Sequence, residues 1–386
     1  MDLLQSLLVI AAVLGATLTV CAYLIWLERK LAAGVQDRLG PNRVGKFGLL
    51  QPLADGLKFL LKEDVIPAHV DKTLYLLAPS ISLFTTFLAF SVVPFGPAAE
   101  SFGPLRFIIA PRVDIGILFI FAATSLAVYG IILGGWASNN KYSMLGALRS
   151  SAQVVSYEIP LGLSVLGVIV LSSSLNLEDV VDQQAGSGFW AWNCWCQPLA
   201  CLVFFLSSLA ESNRLPFDLP ECEQELIGGY HTEYSGLKFS LFFLAEYTHV
   251  ITVSFLVAIL FFGGWHFPWI AEPGSDYAGA VVVKLLVLLT KVFLSILVIM
   301  LIRWTIPRYR YDQLMSLVWK GLIPLTLLNL VCVAVVKQFG LHHAWLLGSS
   351  VTLFLGATLV STAAARQRAA ARPRATTGQL GSDNIP

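Results

Sequence analysis

Nine stretches of about twenty mostly apolar residues recur along the chain, near residues 5–27, 74–95, 114–136, 153–173, 189–210, 238–263, 280–303, 321–336 and 343–364. A helix that crosses a hydrocarbon core of about 30 Å needs roughly that many residues. Lipid offers backbone amides no partner, so runs of this length admit a bundle of transmembrane helices and little else. The composition agrees. Only 13% of the 386 residues are charged and the mean hydropathy is +0.73, whereas a soluble domain carries about 25% charged residues. The expected fold is all-α, a polytopic transmembrane helical bundle of about nine spans. Residues 1–365 form a single integral membrane domain and residues 366–386 a basic, disordered cytoplasmic tail. Met1-Asp2-Leu3-Leu4-Gln5 has neither the basic segment nor the cleavage site of a signal peptide, so the first span is expected to remain as an anchor.

Charge sorts by membrane side. With the loop after the first span placed inside, the inner segments carry twenty Lys and Arg residues, and the outer ones only Arg106, Arg112 and Lys337. The positive-inside rule then predicts an N-terminus outside and a C-terminus inside. Net charge is +1 and carries no sign of a nucleic-acid partner. Cys21, Cys194, Cys196, Cys201, Cys222 and Cys332 include no C-x-x-C pair; the closest spacing is Cys194-Trp195-Cys196, beside an outer interface. They read as membrane-helix or loop thiols, with no metal or iron–sulfur site.

The long polar segments all fall on the inner side. In the first of them Leu53, Leu57, Leu60 and Leu61 recur at helical spacing opposite Asp55, Lys58, Lys62 and Glu63, which predicts an amphipathic helix lying in the interface. After the fifth span, Glu211, Asp218, Glu221, Glu223, Glu225 and Glu233 make a long acidic inner loop. Part of that density has a local reading. Asp218 three residues before Glu221 fits a capping box, and acids suit a first helical turn.

Glu158 and Glu246 lie inside the fourth and sixth spans. A charge at the bilayer centre costs about 2.5–3.5 kcal/mol on insertion scales, so an acid kept at depth faces a bundle interior or a wet cavity; snorkelling to the interface is the alternative. Pro160 adds a weak point to the fourth span, and its freed carbonyl could hydrate such a cavity. Lys284 and Lys291 share one face of the seventh span. Lys284 is expected to reach outward. Lys291, near the middle, needs a partner, for which an acid on an adjacent helix is the obvious candidate, or else burial keeps it neutral.

Glu158 and the acidic loop fall within a set of longer motifs: Leu27-Glu28-Arg29-Lys30, Arg38-Leu39-Gly40-Pro41-Asn42, Gln51-Pro52-Leu53-Ala54-Asp55-Gly56, the Gly135 to Ser143 segment, Ala152 to Glu158, the acidic loop from Glu211 to Tyr234, and Pro307 to Met315. Through them the chain, from about residue 20 to 335, resembles the complex I membrane component known as the H subunit in bacteria and as subunit 1 in mitochondria. The resemblance implies a subunit of a proton-translocating NADH:quinone oxidoreductase with quinone as substrate and no redox cofactor of its own. Iron–sulfur clusters, FMN and NADH would sit on partner subunits. The partners implied are the peripheral-arm subunits that complete the quinone chamber and neighbouring small membrane-arm subunits. It implies that Glu28, Arg29, Arg38 and Asp55 line or brace the quinone chamber, with Arg214 and Asp218 ordering the loop beside it and Glu233, at a matching position, grouped with these quinone residues. Glu211, Glu221, Glu223, Glu225 and Glu158, with Glu246 and Lys291 also at matching positions, would carry the acidic link toward the proton pumps. Cys222 departs from the small residue usual in the family. The ninth span is like bacterial members, which implies a bacterial inner membrane.

The mechanism expected is that quinone reduction creates negative charge near the Glu221 to Glu225 loop. That charge favours protonation of the neighbouring carboxyls, which pass protons toward Glu158 and Glu246. Two other functions compete. The equivalent subunit of a membrane-bound hydrogenase would lack sensitivity to quinone-site inhibitors. A free-standing ion transporter would show paired interrupted helices from internal repeats, and none is visible in the sequence.

Overall fold

The computed structural model describes residues 3–96, 101–102, 105–106, 109–110, 113–186, 188–218, 227–272, 279–342 and 344–371. Its helices, in chain order, are α1 (Leu3–Val35), α2 (Gln51–Leu61), α3 (Lys72–Ala89), α4 (Gly116–Ser125), α5 (Ala127–Ala137), α6 (Lys141–Ser172) and α7 (Leu177–Ala185). They continue as α8 (Asn193–Cys196), α9 (Pro198–Glu211), α10 (Gly236–Phe261), α11 (Ala280–Thr305), α12 (Tyr311–Leu317), α13 (Ile323–Gln338) and α14 (Ala344–Ala371). A two-residue antiparallel ladder, Ser101–Phe102 with Leu105–Arg106, is the one sheet among the described residues.

Seven helical segments are long and apolar enough to cross a membrane, and Pro198–Glu211 and Ala344–Leu359 are shorter apolar helices. Each of the nine apolar runs therefore overlaps a helix, and the chain is a polytopic helical bundle. Several boundaries differ from the sequence reading. The 189–210 run is not one helix. A 3₁₀ turn at Gly188–Ala191 and the four-residue α8 precede α9, which Pro198 begins at its first turn. The fourth span starts twelve residues early, at Lys141, and runs through Pro160 unbroken. α14 continues to Ala371, past the expected start of the tail, and residues 372–386 lie outside the described residues.

Burial shows which helix holds the bundle together. In α10, 83% of the apolar window is buried within the chain, against 22% in α1 and 28% in α11. α10 is thus the central post, apolar on nearly every side from Val250 to Phe261, and touches α1, α3, α7, α9 and α11. α6 packs on α5, α9 and α13. Between α3 and α5 the approach is close because Gly130 has no side chain. A Cβ there would fall 2.0 Å from Ser82 Oγ and 2.8 Å from the Ala78 carbonyl oxygen, the small-residue contact that membrane helices favour.

At the far end of α10 the terminal carbonyls need partners, and side chains supply them. Gln184 Nε2 donates to the Ile259 carbonyl (2.9 Å) and Asn193 Nδ2 to that of Leu260 (2.8 Å). Lys291 Nζ donates to the carbonyls of Phe262 (2.7 Å), Gly264 (2.8 Å) and His266 (2.6 Å), with the Trp192 ring centroid 4.5 Å away. This corrects the expected acid partner of Lys291. The C-cap residue Phe262 and the turn that follows α10 aim three carbonyls at one point, and together they satisfy an ammonium. Lys284 is likewise not reaching outward but is 3% exposed. Replacing Lys291 by Met would orphan three carbonyls, each costing about 1–3 kcal/mol when buried. The expected result is an assembled complex whose thermal midpoint falls by several degrees; an unchanged midpoint would rule out a capping role for this lysine.

Candidate functional site

α1 ends in Leu27-Glu28-Arg29, so neighbouring residues point to different sides of the helix. Glu28 turns inward and is 6% exposed. Its Oε2 accepts from Tyr247 Oη at 2.5 Å and from Arg214 Nη1 at 3.2 Å, and its Oε1 accepts from Arg303 Nη1. The Arg214 guanidinium also lies 4.1 Å from the Tyr247 ring centroid, a cation–π contact. Burial works against the charge on Arg214, yet Tyr247, Glu28 and Glu246 around it raise its pKa and keep it protonated. One carboxylate thus ties α1, α10, α11 and the loop after α9 together. Arg29 turns the other way, and its Nη1 meets Asp55 Oδ2 at 2.6 Å. Gln51 Nε2 donates to Asp55 Oδ1 at 3.1 Å. The predicted amphipathic helix is α2, clamped to the end of α1 by its polar face while Leu53, Leu57, Leu60 and Leu61 stay exposed.

Glu246 precedes Tyr247 and therefore faces away from Glu28, into a cavity of about 50 Å³. The same cavity is lined by Glu211, His249, Tyr230, Thr86 and Thr124 amid a mostly apolar wall, and its volume is large enough to admit water. Tyr230 Oη donates to Glu246 Oε1 at 3.3 Å, and His249 Nε2 lies 3.2 Å from Glu211 Oε1. Glu211 and His249 are within electrostatic reach of Glu158 on α6. His249, Tyr247 and Arg303 were missed in the sequence. The available signal was the polar triplet Glu246, Tyr247 and His249 in an otherwise apolar helix, where one turn brings 246 and 249 to one side.

The loop after α9 is pinned from two directions. Gln153 Nε2 donates to the carbonyls of Ala210 (2.9 Å) and Phe217 (2.7 Å). Arg308 Nη2 meets Asp218 Oδ2 at 3.0 Å, and Phe217 stacks on Tyr309 with centroids 5.9 Å apart. Burial pushes the Asp218 carboxyl above its usual range although Arg308 and Arg303 pull it down. Glu221, Glu223 and Glu225, with the expected capping box and Cys222, lie outside the described residues. Glu233 stands apart from both clusters. Its Oε1 accepts from Asn140 Nδ2 (2.7 Å) and its carbonyl from Tyr75 Oη (2.7 Å). Arg38 is exposed and bonds Gln36 at 2.7 Å.

The turn Gly229–His231 carries Tyr230 to Glu246 and leans on Gly146, where a Cβ would meet Gly229 Cα at 2.7 Å. His231 packs edge-on against Tyr230, and burial lowers its pKa from 6.5 to about 4. A base with a depressed folded pKa adds stability above 6.5 that is lost as pH falls toward 4, because the unfolded chain takes the proton first. At pH 5 the loss is about 1–2 kcal/mol. His231→Gln is therefore expected to flatten the fall in thermal midpoint between pH 7 and 5; equal slopes for both proteins would contradict this.

The family profile described as NADH dehydrogenase matches residues 8–334. The chain is 45% identical to one of the NADH-quinone oxidoreductase H subunits of Cytophaga hutchinsonii over 329 residues, 85% of this chain and 95% of that protein. It is 47% identical to an NADH-quinone oxidoreductase H subunit of Koribacter versatilis over 347 residues, covering 86% and 96%. It is 48% identical to the NADH-quinone oxidoreductase H subunit of Protochlamydia amoebophila over 316 residues, covering 82% and 92%. A multi-pass helical bundle with this likeness along most of its length belongs to the NADH dehydrogenase family, among the H subunits of NADH-quinone oxidoreductase.

Proposed function

We propose that the chain serves a complex I type NADH:quinone oxidoreductase by holding quinone at its charged end and drawing protons from there into the bundle. The observation that carries this reading is the position of Arg214, buried, 3.2 Å from Glu28 and over the ring of Tyr247, whose chain neighbour Glu246 lines the cavity. A change of charge at Glu28 therefore reaches the Glu246 cavity through a single cation. Charge sorting supports a cytoplasmic charged end with a periplasmic N-terminus, in a bacterial inner membrane.

In this reading Arg29, Asp55 and α2 frame the quinone site, and Arg38 stands exposed at its rim. Glu28 and Arg214 form its inner wall. Asp218 and Glu233 hold the loops that shape it, and Glu221, Glu223 and Glu225 continue the acids toward it. Quinone reduction takes up two electrons and two protons, with the electrons coming from an iron–sulfur cluster on a peripheral-arm partner that FMN and NADH feed. Negative charge on the quinone competes for Arg214 and weakens its hold on the Glu246 carboxylate. Protonation of Glu246 is then favoured, and the cavity offers Glu211, His249 and Glu158 as successive acceptors. Lys291 belongs to the far end of α10, where its geometry supports capping more directly than proton transfer.

A quinone bearing a photoreactive group tests the site. Irradiation of membranes is expected to label peptides within residues 28–62 and 211–218, with competition by unlabelled quinone. Labelling confined to other subunits, or to the far end of the bundle, would refute the placement.

A further inference from the structure

α2 frames the proposed quinone site yet buries none of its own residues, so apolar packing within the chain does little to fix its place. Its position rests on polar ties at its two ends. At the start, Arg29 holds Asp55. Three residues past its last turn, Asp64 Oδ1 meets Lys238 Nζ at 2.5 Å, and Lys238 lies in the first turn of α10. The Asp64 side chain is 56% exposed and that of Lys238 only 7%. The ammonium is thus committed to this spot, and the carboxylate comes to it from a surface segment. The backbones meet here too: Gly236, at φ +58°, opens α10 where a Cβ would lie 3.8 Å from the Glu63 carbonyl oxygen.

Lys238 also connects inward. Its Nζ lies 5.5 Å from the centroid of the Tyr75 ring, a cation–π contact. That ring stacks on Tyr234 with centroids 4.1 Å apart, and Phe242 stands edge-on to both Tyr234 (5.0 Å) and Tyr230 (5.3 Å). Tyr230 in turn donates to Glu246. Contacts therefore run unbroken from the end of α2 to the Glu246 cavity.

We propose that Asp64 and Lys238 are positioning residues for quinone: their ion pair latches the far end of α2 to α10, so that the frame of the quinone site and the Tyr230 turn keep a fixed relation. The inference rests on the quinone reading above. Neither residue touches the quinone; each acts through α2. A loosened α2 weakens the hold on quinone in the ground state and the transition state alike, which raises KM and spares kcat.

In membranes, Asp64→Asn and Lys238→Met are each expected to raise the KM of the complex for a short-chain quinone about fivefold, with kcat held within about twofold. KM does not depend on how much complex assembles, so a purely structural defect leaves it unmoved. Both substitutions break the same pair, and the double variant is expected to show no higher KM than the singles. Asp64→Glu keeps the charge and should stay near wild type. If Lys238→Met does not assemble, Asp64→Asn at its half-exposed position and the double variant, which strands no buried charge, still give the comparison. Wild-type KM in Asp64→Asn, or effects that multiply to about 25-fold in the double variant, would overturn the latch. The photoreactive quinone tells this failure from that of the reading beneath it. Label on residues 28–62 beside an unchanged KM keeps the site and removes the latch, whereas label confined elsewhere removes the site and the positioning role with it.

Discussion

Glu28→Gln is expected to lower the amount of assembled, thermally stable complex several-fold and to abolish most NADH-driven quinone reduction. The variant keeps the shape of the side chain and removes its charge, so the guanidinia of Arg214 and Arg303 are left facing a neutral amide. Arg214 is 13% exposed at its side chain, too little for water to screen it, whereas Arg303 is 40% exposed. Breaking a buried pair from one side costs about 3–5 kcal/mol, because the remaining charge is stranded. A typical domain has only about 5–15 kcal/mol to lose. Glu28→Gln with Arg303→Gln is expected to recover only a small part of the assembly, because it removes the screened cation and leaves the buried Arg214 stranded. Tyr247→Phe deletes one charge-assisted hydrogen bond to the same carboxylate and should cost less, about 1.5–3 kcal/mol. Blue-native gels and thermal melts would read all three, and wild-type assembly of Glu28→Gln would disprove the charge knot.

The general architecture was readable because lipid imposes a length and an apolar composition on every span, and that signal is local in sequence. The same constraint explains α2, whose leucines repeat on one face. What stayed hidden depends on contacts between distant segments. A buried ammonium at Lys291 needs negative charge, but no periodicity says that the end of α10 supplies it as three carbonyls rather than an acid. The 189–210 run is apolar enough to be one span, yet Pro198 and the conformation of Gln197 divide it. Charge sorting places Arg303 on the inner side and says no more, because its meeting with Glu28, 275 residues earlier, is tertiary. At the site, Glu246 is legible as an acid at risk in lipid and Glu211 as part of an acidic loop, whereas Glu28 and Arg214 gain a role only through the resemblance. That one cation, Arg214, lies under the influence of both Glu28 and Glu246 follows from α10 presenting Glu246 to one side and Tyr247 to the other. Resemblance groups Glu233 and Arg38 with the quinone residues, and the fold holds each in separate hydrogen bonds.

Glu211→Gln is expected to slow NADH-driven quinone reduction and its accompanying proton uptake about tenfold or more, with little loss of assembly. Glutamine fills the same space and still bonds His249, 3.2 Å away, so packing is preserved. It has no acidic proton to exchange, and general acid–base steps contribute about 10²–10⁴-fold where they are used. Glu158→Gln should behave alike, because Glu158 is within electrostatic reach of Glu211 and His249. Tyr230→Phe should not, since the hydroxyl only orients Glu246. This ordering separates a proton path from a packing defect. A structural role would make the amides mild and the loss of Tyr230 comparable, whereas a transfer role makes both amides severe and the phenylalanine mild. Rates and proton-to-electron ratios in sealed vesicles decide it. Wild-type values of both quantities in Glu158→Gln and Glu211→Gln would leave the cavity as a packing feature, and the route from Arg214 into the bundle would have to run elsewhere.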